Sequence, residues 1–524
     1  GLIEVCPVYS KLGGDATAKE EVVAFAFIFL YDIHQEGTAM KIYFRILRIV
    51  WLVVFCASLA GGVQAAPQDV TMTVTTLEDE YQVDGDCSLR EAMHAANYNE
   101  AYDQCPTGDS IGMDTIVFAN GGTIVLGMYL PAYNAGPMTI DGGSQVAVSG
   151  NNATNILEVE SEADLTLRNL TFTLGYSSEN SIGGALTSSG GTITIDNCDF
   201  LDNNAYNGGA IYNLDGSMTI SNSHFQDNDA SSLGGAIHNT AVNLTINSSS
   251  FNNNSSMYHG GAIMNWVKLE INGCTFKDNV TLHGGGAILS INYLHVVNTT
   301  FDGNSAWGSG GAIACTSDSS LDCQILDSSF VNNIAFEDGG AIYNGNSSGE
   351  MSVNGVWFSG NAALGNGGAV CLDSSIPYYP INISFTNTTF YDNAATNGGA
   401  LFLGDITASI SDSLFVQNEA DYGGGINNQA IDFNNSGLTI ERTTLWENNS
   451  LQGGAIYNEN AHLMMTNDTL TSNTADRGGG AYNTAGGLVE ILNSTLAHNS
   501  AGQSDQLFND AGAAIYTANS IYAY

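Results

Sequence analysis

Basic residues are scarce in this sequence: 11 Lys and Arg stand against 53 Asp and Glu, which gives a formal net charge of −42 at pH 7. Nucleic-acid binding needs cations that neutralise phosphates, so this composition excludes nucleic acid as a partner. The negative electrostatic potential of such a chain also opposes direct binding to anionic lipid headgroups or polyuronates. The acidic residues are spread among regularly placed apolar residues, which predicts a folded chain.

Proline, amphipathic helical segments and long apolar runs are also rare. Only seven prolines occur, and the central sequence lacks helical periodicity, so it is predicted to consist of strands and turns. No segment reaches the roughly 20 apolar residues of a membrane-spanning helix. The glycine-rich strings do not lead from a strand into a helix, which excludes a nucleotide-binding loop.

The N-terminal part has the features of a targeting segment. Residues 40–65 are interpreted as a signal peptide, because Met40 is followed by basic residues and then by the apolar run 49–59. Small residues at 63 and 65 predict cleavage between Ala65 and Ala66. Residues 1–39 precede this complete signal and lack an initiating Met, so we expect them to be non-native upstream translation. A reading frame of that kind leaves the C-terminal end open to truncation as well.

The rest of the chain is dominated by an internal repeat. Gly-Gly pairs recur every 25–31 residues and open units such as Gly-Gly-Ala-Ile-Tyr-Asn at 208–213. Each unit closes on an aromatic residue or leucine followed three positions later by asparagine. The first positions are Phe200, Phe225, Phe251, Phe276, Phe301, Phe330, Phe358, Phe390, Phe415, Leu445, Leu470 and Leu496. The asparagines are Asn203, Asn228, Asn254, Asn279, Asn304, Asn333, Asn361, Asn393, Asn418, Asn448, Asn473 and Asn499.

This repeat determines the predicted fold. Period-two alternation predicts short strands with one buried face, and a single unit is too small to bury that face alone. Windings stacked about 4.8 Å apart would place Phe on Phe inside and Asn on Asn at a corner. We therefore predict an all-β, right-handed, single-stranded parallel β-helix of about 12–14 coils, each with roughly three short strands and three turns.

A short capping helix is predicted before the repeats. Ser88 begins it and Glu91 completes a capping box, so that one apolar face can cover the open end of the β-helix. Cys87 and Cys105 flank this helix, and export makes a disulfide between them the expected state. We assign 66–130 to this cap with the first strands and 131–524 to the β-helix repeats.

Two resemblances to known families rest on these motifs. The string Cys-Ser-Leu-Arg-Glu-Ala at 87–92, followed by the segments 114–118, 138–142 and 148–152, resembles the CSLREA-domain family. The Gly-Gly-Ala-Ile and Phe-x-x-Asn repeats resemble those of polymorphic outer-membrane proteins. Together these resemblances imply an exported β-helix, often an adhesin-like passenger at the cell surface, without shared catalytic residues. The second family also implies a C-terminal membrane barrel, whose amphipathic strands are not seen in the sequence up to Tyr524.

A carbohydrate-active enzyme, a polysaccharide hydrolase or lyase, is the alternative function. Hydrolases need paired carboxylates, and Asp202, Asp227 and Asp278 share the column before the corner asparagine. Asn253 interrupts that column, so solvated turns are the favoured interpretation, with structural Ca²⁺ and catalysis as the lesser ones. Lyases use an Arg or Lys base, and the repeats contain no basic cluster.

The histidines and tyrosines are predicted to be structural. His259 and His283 precede successive glycine pairs at different offsets and are two ligands where zinc needs at least three, so we interpret them as surface residues. Four tyrosines share one column and are predicted to pack as a ladder, with sugar stacking as the alternative: Tyr212, Tyr343, Tyr457 and Tyr482.

The remaining cysteines follow the same interpretation. Cys198 and Cys274 lie three coils apart, too far to pair, and are predicted to be buried. Cys315 and Cys323 are spaced to close a local loop, whereas Cys371 has no evident partner.

These observations favour a secreted, monomeric, non-enzymatic interaction scaffold with no cofactor apart from a structural Ca²⁺ as the minor alternative. Its expected place is extracellular or on a bacterial outer surface. Its expected partner is a host-cell, matrix or glycan surface, and beyond the signal peptide no membrane-spanning segment is expected.

Overall fold

The computed structural model describes residues 69–523, with gaps at 110, 161–162, 181, 317–320, 346–348, 375–381, 432 and 434–436. The predicted signal peptide and the cleavage site between Ala65 and Ala66 lie outside the described residues. The compact unit Pro67–Tyr524 is a parallel β-helix of about 15 turns with one short helix, which confirms the predicted fold class. The hand of the winding and the domain boundaries stay predictions. Within the described residues, no helix is long and apolar enough to cross a membrane.

The N-terminal part of the sheet precedes the first glycine pair. Its strands are Val70–Val74, Asp114–Phe118, Gly122–Val125, Pro137–Ser149, Leu157–Val159 and Asp164–Thr173. Val70–Val74 pairs in parallel with Asp114–Phe118, which pairs in turn with Pro137–Ser149. These windings continue the sheet without the glycine and asparagine motifs. They therefore account for more turns than the motif count of the sequence indicates.

Most windings of the repeat region have four strand segments, not the three expected, because a residue with positive φ bends the chain between the second and the third. In the winding that contains Thr389–Tyr391, the isolated bridge residue Ala394 stands in the fourth place. We name the four sets a, b, c and d in chain order. In the first two windings, a and b form the continuous strands Leu186–Asp196 and Ile211–Ser221. Set a then contains Ile237–Asn239, Ile263–Asn265, Ile288–Ser290, Ile313–Cys315, Ile342–Asn344, Val370–Asp373, Leu401–Gly404, Ile426–Gln429, Ile456–Glu459, Ala481–Asn483 and Leu507–Asn509.

Sets b and c belong to the same large sheet as set a. Set b contains Asn243–Asn247, Lys268–Asn272, Tyr293–Val297, Leu321–Leu326, Gly349–Asn354, Asn382–Thr386, Thr407–Ser411, Gly437–Glu441, His462–Thr466, Leu488–Leu492 and Ala514–Ala518. Set c contains Asp199–Leu201, His224–Gln226, Ser250–Asn252, Thr275–Lys277, Thr300–Asp302, Ser329–Val331, Trp357–Ser359, Thr389–Tyr391, Leu414–Val416, Thr444–Trp446, Thr469–Thr471, Thr495–Ala497 and Ile521–Ala523.

Set d forms two smaller sheets. The first contains Tyr176–Ser177, Asn204–Asn207, Asp229–Leu233, Ser255–Ser256, Val280–Thr281, Ser305–Ala306, Ile334–Ala335 and Ala362–Ala363. The second contains Glu419–Tyr422, Asn449–Gln452, Thr474–Arg477 and Ser500–Gln503. The strand pairings of the windings are parallel, with local register shifts where Asn204–Asn207, Ile211–Ser221 and Pro137–Ser149 meet their neighbours. Elsewhere equivalent side chains of successive windings lie above one another; Phe225, for example, pairs with Phe251.

Residues in the left-handed region make the corners. One column of them separates b from c and includes Asn222 and Asn298, and a second separates c from d and includes Asp227 and Asn253. From Gly208 onward, the first glycine of each pair makes a third corner. A Cβ on the second glycine, Gly261 for instance, would lie 2.0 Å from the carbonyl oxygen of Gly286 in the next winding. Both glycines are therefore required, one for its φ angle and one for the close approach of two backbones.

The windings differ in length at one corner. Two residues separate set b from set c in every winding of the repeat region from Asn243–Asn247 onward, and two separate each set d strand from the set c strand before it. The connection between a and b ranges from two residues after Asn265 to eight after Asp373. The variation of 25–31 residues between glycine pairs thus arises mainly at this corner.

Candidate functional site

The N-terminal cap is built on the helix α1, Leu89–Tyr98. The Glu91 amide donates to Ser88 Oγ at 3.2 Å, and the Ser88 amide donates to Glu91 Oε2 at 3.0 Å, which is a complete capping box. The buried Glu91 carboxylate also accepts from the Gln82 amide at 2.9 Å. Cys87 and Cys105 are joined by a disulfide that spans 18 residues of sequence and closes the loop around this helix.

Arg90 fastens the cap to the first windings. Its guanidinium lies 2.8 Å from the Asp79 carboxylate and donates further hydrogen bonds to the carbonyl oxygens of Met128 and Tyr129. The residues of the Cys-Ser-Leu-Arg-Glu-Ala string thus contribute a disulfide, two cap contacts and an ion pair. These contacts hold the N-terminal cap against the first windings.

A cluster of three carboxylates lies beside the cap. Glu80, Asp84 and Asp86 each offer an oxygen within 4.8 Å of the other two. Desolvation and repulsion between neighbouring carboxylates raise the pKa of Glu80 and of Asp86. Exposed acidic clusters are common in proteins of this charge. The place differs from the aspartate column in which structural Ca²⁺ was considered.

The phenylalanines form one continuous stack in the interior. The centroids of Phe200 and Phe225 are 4.7 Å apart, and those of Phe225 and Phe251 are 4.6 Å apart, with nearly parallel rings. The stack continues through Phe276, Phe301, Phe330, Phe358, Phe390 and Phe415. Its side chains are fully buried, as are Leu445, Leu470 and Leu496 in the same column. This column is core and offers no surface for a ligand.

The corner asparagines form a second buried ladder. The Asn279 side-chain amide donates to Asn304 Oδ1 at 2.9 Å and to the carbonyl oxygen of Phe251 at 2.9 Å. The same pattern connects Asn203, Asn228, Asn254, Asn279, Asn304, Asn333, Asn361, Asn393, Asn418, Asn448, Asn473 and Asn499. Each asparagine satisfies buried backbone groups of two neighbouring windings, so the ladder is structural.

A further asparagine ladder was missed at the sequence level. Asn213 Nδ2 donates to Asn239 Oδ1 at 2.7 Å, and Asn239 Nδ2 donates to Asn265 Oδ1 at 2.8 Å. The ladder resumes with Asn428, Asn458, Asn483 and Asn509. The available signal was an asparagine five residues after the first glycine of a pair. Ser290, Cys315, Leu372 and Leu403 interrupt the series between Asn265 and Asn428, which weakens that signal.

The aspartate column proposed as an alternative catalytic pair belongs to a corner. Asp202, Asp227 and Asp278 have φ angles of 55°, 55° and 53°, and Asn253 at the interruption has the same conformation. Asp227 Oδ2 accepts a hydrogen bond from Gln226 Nε2 at 2.8 Å, and its other oxygen accepts from Asn253 Nδ2. Asp and Asn tolerate the left-handed region better than most residues, which explains their occurrence here without reference to chemistry.

The paired histidines do not gather further ligands among the described residues. The rings of His259 and His283 have centroids 5.6 Å apart, and His259 Nδ1 accepts a hydrogen bond from the Gly284 amide at 3.4 Å. Burial and the neighbouring ring of His283 lower the pKa of His259. Within the described residues, the three carboxylates beside the cap are the one group of potential metal ligands whose ligand atoms all lie within 4.8 Å of one another.

Three of the four tyrosines in the column are buried, and Tyr343 is half-buried. Tyr212, Tyr457 and Tyr482 are buried, and Tyr457 stacks on Tyr482 with ring centroids 5.5 Å apart. Tyr482 stacks in turn on Phe508 at 4.9 Å. These aromatic side chains lie along set a, on the side of the strands away from the phenylalanine stack. Tyr212, Tyr457 and Tyr482 are therefore packed as parts of the side-chain ladders along set a.

Two of the buried cysteines, Cys198 and Cys274, take the places of hydroxyl residues. The Ser249 amide donates to Cys274 Sγ at 3.4 Å, as the Ser223 amide donates to Ser249 Oγ one winding earlier. Burial raises the pKa of the Cys274 thiol to about 11. Cys315 Sγ and Cys323 Sγ are 3.1 Å apart and both are fully buried.

Two segments of the chain, 248–265 and 327–345, match the family model of the Chlamydia polymorphic membrane protein (Chlamydia_PMP) repeat. Each contains one aromatic-to-asparagine corner and one glycine pair. The repeat is similar to the chlamydial one. A stretch of 146 residues is also 31% identical to the probable autotransporter YfaL of Escherichia coli (strain K12). That match covers 24% of this chain and 12% of YfaL.

Two surface depressions among the described residues contain no paired carboxylates. The larger one, of about 460 Å³, is lined by neighbouring strands of set b, and Glu350 is the one carboxylate in its described lining. A depression of about 330 Å³ near the N-terminal windings contains Asp141 alone, and that carboxylate is bound by Arg168 and Asn169. Two carboxylates at controlled separation, which a glycoside hydrolase requires, do not meet in either place.

Proposed function

We propose that the chain is exported by the segment 40–65 and displayed at a bacterial cell surface as a non-enzymatic, adhesin-like binding scaffold. The similarity to chlamydial polymorphic membrane protein repeats and to an autotransporter supports display at the surface. The charge of −42 favours solubility and partners that are neutral or cationic.

One observation carries the binding role. The conspicuous residues of the repeat, the phenylalanines and the corner asparagines, are fully or almost fully buried and serve the coil. What the molecule presents to solvent is therefore a set of long repeated faces. Repeated faces suit the capture of a partner through extended contact, whereas catalysis depends on a few convergent groups.

The test is to produce the full chain in Escherichia coli and to add protease and antibody to intact cells. We expect surface exposure that is lost when residues 40–65 are deleted, and attachment of the producing cells to arrays of host matrix proteins and glycans. Protein that remains inside the cell, or displayed protein without any attachment, contradicts the proposal. The alternative is tested on glycan panels: bond cleavage that disappears in Asp202→Ala or Asp227→Ala would establish an enzyme instead.

A further inference from the structure

One outward column is apolar over five successive windings. It consists of the residues that directly follow set d, where Ser256, Thr281, Ala306, Ala335 and Ala363 pair in register. We name it the apolar stripe: Met257, Leu282, Trp307, Phe336 and Leu364. Their exposed fractions are 49%, 47%, 59%, 45% and 67%. These five large apolar side chains are contiguous, which makes the column a candidate interaction surface.

The stripe is ordered by its own packing. Trp307 and Phe336 stack with ring centroids 5.3 Å apart and an interplanar angle of 23°. Their amides donate to the carbonyl oxygens of Thr281 and Ala306 in the preceding windings, which fixes the backbone beneath both rings. Aromatic side chains held in place before binding lose little conformational freedom on binding, and Trp, Phe and Met are enriched at protein interfaces.

The stripe is an uncharged strip on an acidic molecule. The segments 255–258, 280–283, 305–308, 334–337 and 362–365, which contain it, include one acidic residue, Glu337, and no Lys or Arg. The windings around it, 250–365, contain nine acidic residues and two lysines. One of these, Lys268, is paired with Glu270 at 2.8 Å. A complementary partner therefore has an apolar centre and positively charged flanks.

The size of the stripe limits what can cover it. Five windings place its ends about 19 Å apart, so at a width of about 10 Å it presents roughly 200 Å². A stable dimer buries about 800 Å² on each partner, and two copies of this chain repel each other, so a second copy is excluded as the occupant. A single segment of secondary structure has the right dimensions.

The spacing selects a helix. Successive stripe residues are about 4.8 Å apart, close to the rise of about 5.4 Å per turn of an α-helix and shorter than the repeat of about 6.8 Å between same-face residues of an extended strand. We propose that the apolar stripe binds a cationic amphipathic helix of about 13 residues, presented by a partner protein. This inference rests on the proposed role as a surface-binding scaffold and assigns that role to one face.

The test uses the full chain and a labelled synthetic peptide of about 14 residues, with leucines at helical spacing and lysines on the remaining positions. A peptide of the same composition in scrambled order is the second probe. Fluorescence anisotropy at about 150 mM salt gives both affinities. We expect the amphipathic peptide to bind at least about tenfold more tightly than the scrambled one.

Two double variants test whether the peptide binds at the apolar stripe. Trp307→Ser with Phe336→Ser removes the aromatic pair of the stripe and should weaken binding about tenfold or more. Trp357→Ser with Tyr391→Ser is the matched control, because that pair is also exposed and stacked, with centroids 6.2 Å apart, but lies on set c. Circular dichroism checks the fold of both. Equal binding of the two peptides, or equal weakening in both double variants, overturns the inference.

The same variants separate this inference from the proposed function. If the stripe variant loses the peptide and also the attachment of producing cells, both stand. If the parent chain does not prefer the amphipathic peptide while cells still attach, the proposed helix binding by the stripe is wrong and the proposed role as a surface scaffold stands. If the peptide binds specifically but the chain is never found outside the cell, the proposed export is wrong and the proposed helix binding by the stripe stands.

Discussion

The side-chain amide of Asn228 donates to Asn254 Oδ1 at 2.9 Å, and the main-chain N–H of Asn228 donates to the same oxygen at 3.2 Å. One oxygen atom therefore satisfies two buried donors of the neighbouring winding. The arrangement repeats along the corner, so that each asparagine supports the winding before it. The contribution of this ladder to the free energy of unfolding can therefore be measured by substituting one asparagine, since the other windings are left unchanged.

Asn254→Ala should destabilise the chain by about 2–5 kcal/mol, because it leaves two buried donors of Asn228 without an acceptor. The measurement is the shift of the urea unfolding midpoint, followed by far-UV circular dichroism. Asn252→Ala is the matched control, since Asn252 lies two residues away and is half-buried. A shift no larger than that of the control would contradict a supporting role for the ladder.

Phe276→Ala should cost about 3–5 kcal/mol, because it opens a cavity between the rings of Phe251 and Phe301. Phe276→Leu should cost clearly less, since leucine fills the same column at 445, 470 and 496 and is fully buried there. Urea unfolding of both variants beside the parent chain gives the comparison. If the two substitutions are equally damaging, the column does not accept leucine in the way the later windings indicate.

Gly261→Ala should disrupt folding, because the new Cβ would lie 2.0 Å from the carbonyl oxygen of Gly286 and neither backbone can move away without breaking the sheet. Gly273→Asn is the matched control. Gly273 has a φ of 65°, but its equivalents Asn222 and Asn298 adopt the same region. Soluble yield and thermal unfolding should be near normal for Gly273→Asn and strongly reduced for Gly261→Ala. Comparable behaviour would mean that the second glycine tolerates a side chain.

Asp468 should make stability depend on pH. Burial raises the pKa of its carboxyl to about 7, against hydrogen bonds from the Thr443 and Thr466 amides that lower it. Because this folded pKa lies above the unfolded value, the contribution is fully present below about pH 4 and is lost as the pH rises to about 7, with a magnitude of about 4 kcal/mol.

Asp468→Ser should remove that dependence, because serine occupies the equivalent place at Ser494 and Ser413. We expect the variant to exceed the parent chain in urea midpoint at about pH 8 and to match it at about pH 4. Asp476→Ser, at an exposed position in set d of the same winding, should leave the pH profile of the parent chain unchanged. A parallel shift of the Asp468 variant at both pH values would contradict the titration.

The coil was predictable because its motif residues have constant spacing. The distance from Phe251 to Asn254 recurs in each unit, and only a stacked arrangement buries both. The windings before Gly183 were not counted, since they carry the strands without the motif. The four strands per winding were also missed, because a single residue such as Asn222 in the left-handed region ends one strand and begins another without a gap in the alternation.

The surface was harder to predict than the core. Alternation marks a residue as outward, but it does not tell a covered outward residue from an exposed one. Tyr212 and Trp307 both point away from the phenylalanine stack, yet Tyr212 is buried and Trp307 is 59% exposed. The difference depends on which neighbouring segment folds over each column, and this follows from three-dimensional packing alone. The stripe was therefore invisible at the sequence level.

The corner between sets a and b has a consequence for how such chains can diversify. Windings accept from two to eight residues there, while the strands on either side keep their partners. Added sequence at this corner is tolerated without a shift of register anywhere else. One long edge of the molecule can thus acquire new loops, winding by winding, as interchangeable attachments on an unchanged frame.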